Sequence, residues 1–148
     1  MRYLFFMLLA IIGLPAFRLG TTMRNAGCNG IVDVMDQGSG AGKFKLYTGS
    51  QPGSVGGTYG TLLGTCVASD PAFGNAATGV ATANAITSDT SADASGTVAT
   101  GTMTDSDDNV LADYTCGTSG TDMIFDNATI VAGGIIAIPS VTVTQPIS

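Results

Sequence analysis

Asp105-Ser106-Asp107-Asp108-Asn109 sets carboxylates at alternate positions, the spacing by which calcium-binding loops present oxygen ligands. Val110 stands where an EF-hand loop needs glycine, and no Glu follows at the distal position, so the run reads as a solvated hairpin turn. Gly38-Ser39-Gly40-Ala41-Gly42-Lys43 approaches the phosphate-cradling pattern G-x-x-x-x-G-K-[ST]. Gln37 occupies its first glycine position, Phe44 replaces its hydroxyl residue, and a strand rather than a helix should follow, so nucleotide binding is not expected. Asp89, Asp93, Asp113, Asp122 and Asp126 could supply a carboxylate pair for glycoside hydrolysis, but no spacing selects two of them. Hydroxyls are abundant and His is absent, which removes the commonest general base and leaves only Lys43 or Lys45 to activate a nucleophile. Both lysines fall on an alternating strand that reads as half-exposed. Cys28, Cys66 and Cys116 lack the C-x-x-C spacing of a zinc site and cannot all pair within one chain. Cys66 and Cys116 fall in predicted strands and could face each other, although buried free thiols are the preferred reading. No residue is assigned a catalytic, cofactor-binding or metal-ligating role, and the chain reads as non-enzymatic.

The elements that carry these residues follow from composition. The chain has 148 residues, 45% apolar and only 11% charged, enough for one hydrophobic core. Twenty-one Gly, frequent Thr and Ala, and no Glu or Trp argue against long exposed helices and for an all-β class. Arg2, Arg18, Arg24, Lys43 and Lys45 are the only cations, whereas nine of the eleven carboxylates, all Asp, lie beyond position 46. Nine Asp and no Lys or Arg give residues 46–148 a formal charge of 0 − 9 = −9. A phosphate backbone needs the opposite sign, so no nucleic-acid partner is expected, and no small-molecule substrate is indicated.

Residues 1–22 form an apolar leader whose run of about fifteen apolar residues suits a signal-peptide core better than a full bilayer span. Arg18 follows that run at once and no A-x-A site closes it, so Met23 is the expected true start, with a membrane role only if the leader is retained. Ala26-Gly27-Cys28 approximates the end of a lipoprotein cleavage box, but Asn25 replaces its aliphatic residue. Residues 23–42 read as a short amphipathic helix over Met23 to Gln37, with Ala26, Ile31, Val34 and Met35 on one face, followed by a Gly-rich linker.

Residues 43–148 read as a single β-sandwich or jelly-roll domain of about seven to eight strands. The expected strands are Lys43 to Tyr47, Thr61 to Ala68, Thr78 to Ile86, Thr97 to Thr104, Val110 to Cys116, Met123 to Phe125, Ala128 to Val131 and Ile135 to Thr144. Thr97 to Thr104 and Val110 to Cys116 should form a hairpin about the acidic turn Asp105 to Asn109. Pro139 cannot donate a ladder hydrogen bond, so it should lie at an edge or bulge.

The blocks Arg24 to Asp33, Gly38 to Pro52 and Leu62 to Gly74 resemble small virion structural proteins of tailed bacteriophages. Ser95-Gly96-Thr97, Thr104-Asp105-Ser106-Asp107, Gly117 to Asp122 and Val141 to Pro146 follow in the same order, so the resemblance spans residue 23 to the end. Two departures stand out: Thr97 to Thr104 lacks a large aromatic residue, and Asp108 stands where a turn glycine is usual. The resemblance implies an all-β oligomer that decorates or cements a capsid, or associates with a tail, without catalysis.

The resulting expectation is a virion-located homo-oligomer that binds capsid or tail subunits. Its expected contact elements are the short helix and the strand Lys43, Phe44, Lys45, Leu46 and Tyr47, where the cations gather. The rival readings are a secreted or surface-anchored bacterial adhesin or filament subunit, and a carbohydrate-binding module or small Asp-dependent hydrolase. The lack of Trp weighs against a glycan groove.

Overall fold

Lys43-Phe44-Lys45-Leu46-Tyr47 alternates long polar or amphipathic side chains with apolar ones. In a computed structural model, which describes residues 18–147, it forms β1 (Lys43–Tyr47) with Phe44 and Leu46 buried. The leader residues 1–17 lie outside the described residues. β1 is flanked by β2 (Leu62–Ala68) and β6 (Thr100–Thr104), so Phe44 stands opposite Cys66 on one side and Met103 on the other. β4 (Ile86–Thr87) pairs outside β2, while β7 (Val110–Gly117) and then β8 (Met123–Ile124) lie outside β6, giving the six-stranded order β4-β2-β1-β6-β7-β8. All its pairings are antiparallel except β7 with β8. Two ribbons complete the fold: β3 (Val80–Thr82) with β10 (Thr142–Thr144), and β5 (Gly96–Thr97) with β9 (Thr129–Ile130). The protein is mostly β, with a curled six-stranded sheet and one short helix.

The helix, α1 (Thr21–Val32), continues as a 3₁₀ turn over Asp33–Asp36. Cys28, Val32 and Met35, spaced four and three apart, form its buried stripe, while Ala26 and Ile31 are exposed and Val34 is half-buried. This corrects the expected apolar face. Polar side chains also select the docking face: Asn25 accepts from the Gly79 N–H, Asn29 from the Ala76 N–H and Asp36 from the Ala72 N–H, each at 2.7 Å. Those three acceptors satisfy backbone donors of the irregular segment 72–79, which has few ladder partners of its own. Arg24 Nε donates to the Gln145 carbonyl at 2.9 Å and Cys28 Sγ to the Val143 carbonyl at 3.2 Å, so the helix is bound to β10 as well. The same buried cluster holds helix and sheet residues together.

The hairpin forms as expected. β6 and β7 pair about a turn in which Asp105, 4% exposed, accepts from the backbone N–H of Asp107 and of Asn109 and from Asn109 Nδ2. Asp108 has φ +67°, a left-handed conformation that favours glycine and that Asp tolerates better than most residues. Other strands differ from expectation. Thr78 to Ile86 divides into β3 and β4, and Thr97 to Thr104 into β5 and β6. The expected long strand Ile135 to Thr144 is a single Asp89–Ile136 bridge followed by β10, because Pro139 interrupts the run and restricts Ile138 before it. Among the described residues, ten short strands replace the expected seven or eight.

Gly101 of β6 lies beneath the ring of Tyr114 on β7; a Cβ there would collide with that ring. The Tyr114 hydroxyl is buried without a hydrogen-bond partner, and desolvation raises its pKa far above the ordinary phenol value. A buried hydroxyl with no partner opposes folding. Tyr114→Phe should therefore leave stability unchanged or raise it by about 1 kcal/mol, measured as the urea midpoint; a loss above that size would reveal a bond to the hydroxyl.

Candidate interaction surface

The expected contact strand lies in the interior of the sheet. β1 has strands on both edges, and Phe44 and Leu46 are 0% and 1% exposed, so neither side chain has surface to offer. Lys43 and Lys45 are turned inward along the sheet by one acceptor: their Nζ atoms lie 2.7 and 2.9 Å from the same Asp108 oxygen. Tyr47 stacks on Tyr59 with ring centroids 5.1 Å apart, and Tyr59 in turn donates to Asp113. Three of the five expected contact residues, Lys43, Lys45 and Tyr47, thus find partners within the fold.

Several of the other chemistry-bearing groups are hydrogen-bonded within the fold, while Asp126 lines a surface groove at β8. Ser39 N–H donates to Ser106 Oγ, which donates to the Gln37 carbonyl, so the Gly38 to Gly42 run is packed against the hairpin turn. Asp105 points into its own turn while Asp108 reaches the lysines, so two of the three carboxylates of the calcium-like run are drawn apart. Asp89 accepts from the Thr65 and Ser91 N–H groups, Asp113 from Tyr59 and Gln51, and Asp122 from Thr115. Among the described residues no group of three His, Cys, Asp or Glu side chains is placed to hold a metal. Cys28, Cys66 and Cys116 are buried and free; Cys66 and Cys116 stand on β2 and β7, with β1 and β6 between them. Burial pushes the Cys116 thiol up to about 12 and raises that of Cys66, which makes both poor thiolates.

Three carboxyls are held below the ordinary Asp range: Asp105 by the Asn109 amide, Asp108 by hydrogen bonds from Lys43 and Lys45, and Asp122 by the Thr115 N–H. In each case the folded state favours the ionised form, so the unfolded chain binds protons at higher pH than the folded one. Their stabilisation is complete above the unfolded pKa of about 3.9 and is lost as pH falls through the lower folded values. The urea midpoint should be flat from neutrality to about pH 5 and drop on further acidification, with a shallower drop in Asp105→Asn.

What the surface does present is apolar and lies at the far sheet edge. β8 is apolar at consecutive positions, so alternation sends Met123 and Ile124 to opposite sides, each lining a separate groove. The Ile124 groove, about 350 Å³, is also lined by Phe125, Ile130, Ile135, Ile136 and Pro139. Ile124 is 64% and Ile135 72% exposed, and Val131 beside Ile130 is 66% exposed. The Met123 groove, about 410 Å³, runs between β7 and β10 and is floored by Met103, Ala112 and Tyr114, with Ile31 of α1. The sequence held a signal for this: Met123-Ile124-Phe125 is apolar at three successive positions, which one sheet face cannot bury alone. No helix among the described residues is long and apolar enough to cross a membrane. The chain matches no known protein family, no curated protein and no solved structure.

Proposed function

We propose that this chain is a non-enzymatic structural protein that works by binding other protein. The observation that carries this reading is the exposed pair Ile124 and Ile135, which line one groove with Phe125, Ile130, Ile136 and Pro139. Clustered large aliphatic side chains left in water mark a contact surface more often than a scattered one would. The resemblance of residues 23–148 to small tailed-phage virion proteins makes capsid or tail subunits the partners and the virion the location. In that setting the protein decorates or stabilises the shell, with copies of the chain also associating. The β3–β10 ribbon packs with α1, and one buried cluster joins them to residues of the large sheet, which supports reading the architecture as sandwich-like.

Co-sedimentation with undecorated capsids tests the reading. The wild-type chain should travel with the capsids, and the Ile124→Asp/Ile135→Asp double variant should remain soluble, folded and in the supernatant. Wild-type protein that binds neither capsids nor tails would defeat the virion assignment.

A further inference from the structure

The Met123 groove is bounded by two strand edges that have lost their neighbours. β7 pairs with β6 along its length, but on its other side only Cys116 and Gly117 pair with β8. The Cys116 N–H donates to Ala99 on the β6 side, so alternation turns the backbone groups of Asp113 and Thr115 outward. Asp122 Oδ2 takes the Thr115 N–H at 3.0 Å; the Asp113 N–H and C=O meet no strand among the described residues. The Asp113 carboxylate is held on the opposite face by Tyr59 and Gln51, so what Asp113 presents to the groove is its backbone. On the facing wall, the Val141 carbonyl and the Gln145 N–H bond to β3, which turns the backbone of Thr142 and Thr144 away from β3 and toward the same groove.

We propose that this groove accepts an extended segment of a partner chain as an added strand. The segment pairs its backbone with both open edges, at Asp113 on one side and at Thr142 and Thr144 on the other, and lays apolar side chains over Ala112, Met103 and Tyr114. The proposal rests on the protein-binding reading and names the partner's chemistry. The Asp122 carboxylate borders the groove, both ion pairs among the described residues lie at Asp108, and no Lys or Arg follows Lys45. A second copy's β7 edge would bring a second Asp122 carboxylate toward the first, which opposes self-pairing. The fitting segment therefore belongs to a different chain and carries Lys or Arg beside its apolar residues.

The probe is a seven-residue peptide of alternating valine and threonine with lysine at both ends, titrated into the full chain beside a glutamate-ended control. Amide exchange should slow at Asp113, Thr142 and Thr144, and the lysine peptide should bind roughly two- to tenfold more tightly than the control at low salt. Thr142→Pro removes an N–H that faces the groove and no β3 bond, so it should fold and lose peptide binding. Slowed exchange confined to the Ile124 and Ile135 groove, or no slowing at all, would overturn the inference. So would equal binding by the glutamate peptide. Capsid co-sedimentation separates the two claims: if wild type and Thr142→Pro both travel with capsids and the peptide leaves Asp113 unprotected, strand acceptance fails and protein binding stands. If wild type does not sediment, protein binding in the virion fails, and the exchange measurement still decides the groove.

Discussion

Phe44→Ala is expected to lower stability by about 3–5 kcal/mol, the largest loss from any single truncation in this chain. Phe44 has no exposed surface, stands between Cys66 and Met103 across the two central pairings, and meets Phe73 edge-on with centroids 6.5 Å apart. Truncation removes the transfer energy of a whole ring and leaves a cavity that β2, β1 and β6 cannot close, because their spacing is set by backbone hydrogen bonds. A domain of this size holds about 5–15 kcal/mol in total, so the variant should be partly unfolded near physiological temperature. Urea denaturation followed by circular dichroism reads the effect. Val67→Ala on the same sheet, at a position 37% exposed, should lose less than about 1 kcal/mol. Similar losses at the two positions would show that Phe44 is not the centre of the core.

Gly42→Ala is expected to cost about 3 kcal/mol, whereas Gly30→Ala should stabilise by about 0.5–1 kcal/mol. The two substitutions add the same methyl group. At Gly42 it would come within 2.7 Å of the Thr104 carbonyl and 2.9 Å of the Met35 carbonyl, two backbone atoms that cannot move aside. Gly42 also accepts from the Ala68 N–H, so the close approach joins the end of the 3₁₀ turn to β2 and β6 at one point. At Gly30, in α1, nothing lies within 4 Å, and the methyl group only restricts the unfolded chain. Comparable midpoints for the two variants would mean that the helix is not seated on the sheet as described.

These two residues also show how far the sequence could be read. Phe44 was identifiable as an inward-facing residue, because alternation along Lys43 to Tyr47 depends only on the period of a strand. Gly42 read as part of a flexible linker, since five small residues in a row give no sign of the carbonyls that will crowd one of them. The polar side of α1 was equally hidden. Asn25 and Asn29 are four apart and share a helix face, but their acceptors serve N–H groups about fifty residues away, and no local pattern announces that. The C-terminal third was the least legible region. Ile135 to Thr144 has the β-branched content of a strand, yet Pro139 interrupts it and most of it lies outside any ladder.

The interaction surface divides along the same line. Cation placement pointed to β1, and an isolated strand with Lys at alternate positions would indeed present them. Its position inside the sheet, with Asp108 brought back by the hairpin turn, turned those lysines to internal use. The apolar rim at β8 and the open edges of β7 and β10 come from strands whose neighbours run out, a property of topology rather than of any residue.

By itself the sequence determined the β-rich class, the anionic body, the lack of an imidazole and the hairpin at Asp105 to Asn109, because each depends on composition or on contacts within about ten residues. Tertiary structure alone decided which strand lies inside the sheet, which carboxylate meets the lysines and which backbone edges stay open. Those outcomes rest on pairing between segments distant along the chain, where one register is selected by the burial and hydrogen bonding of the whole fold.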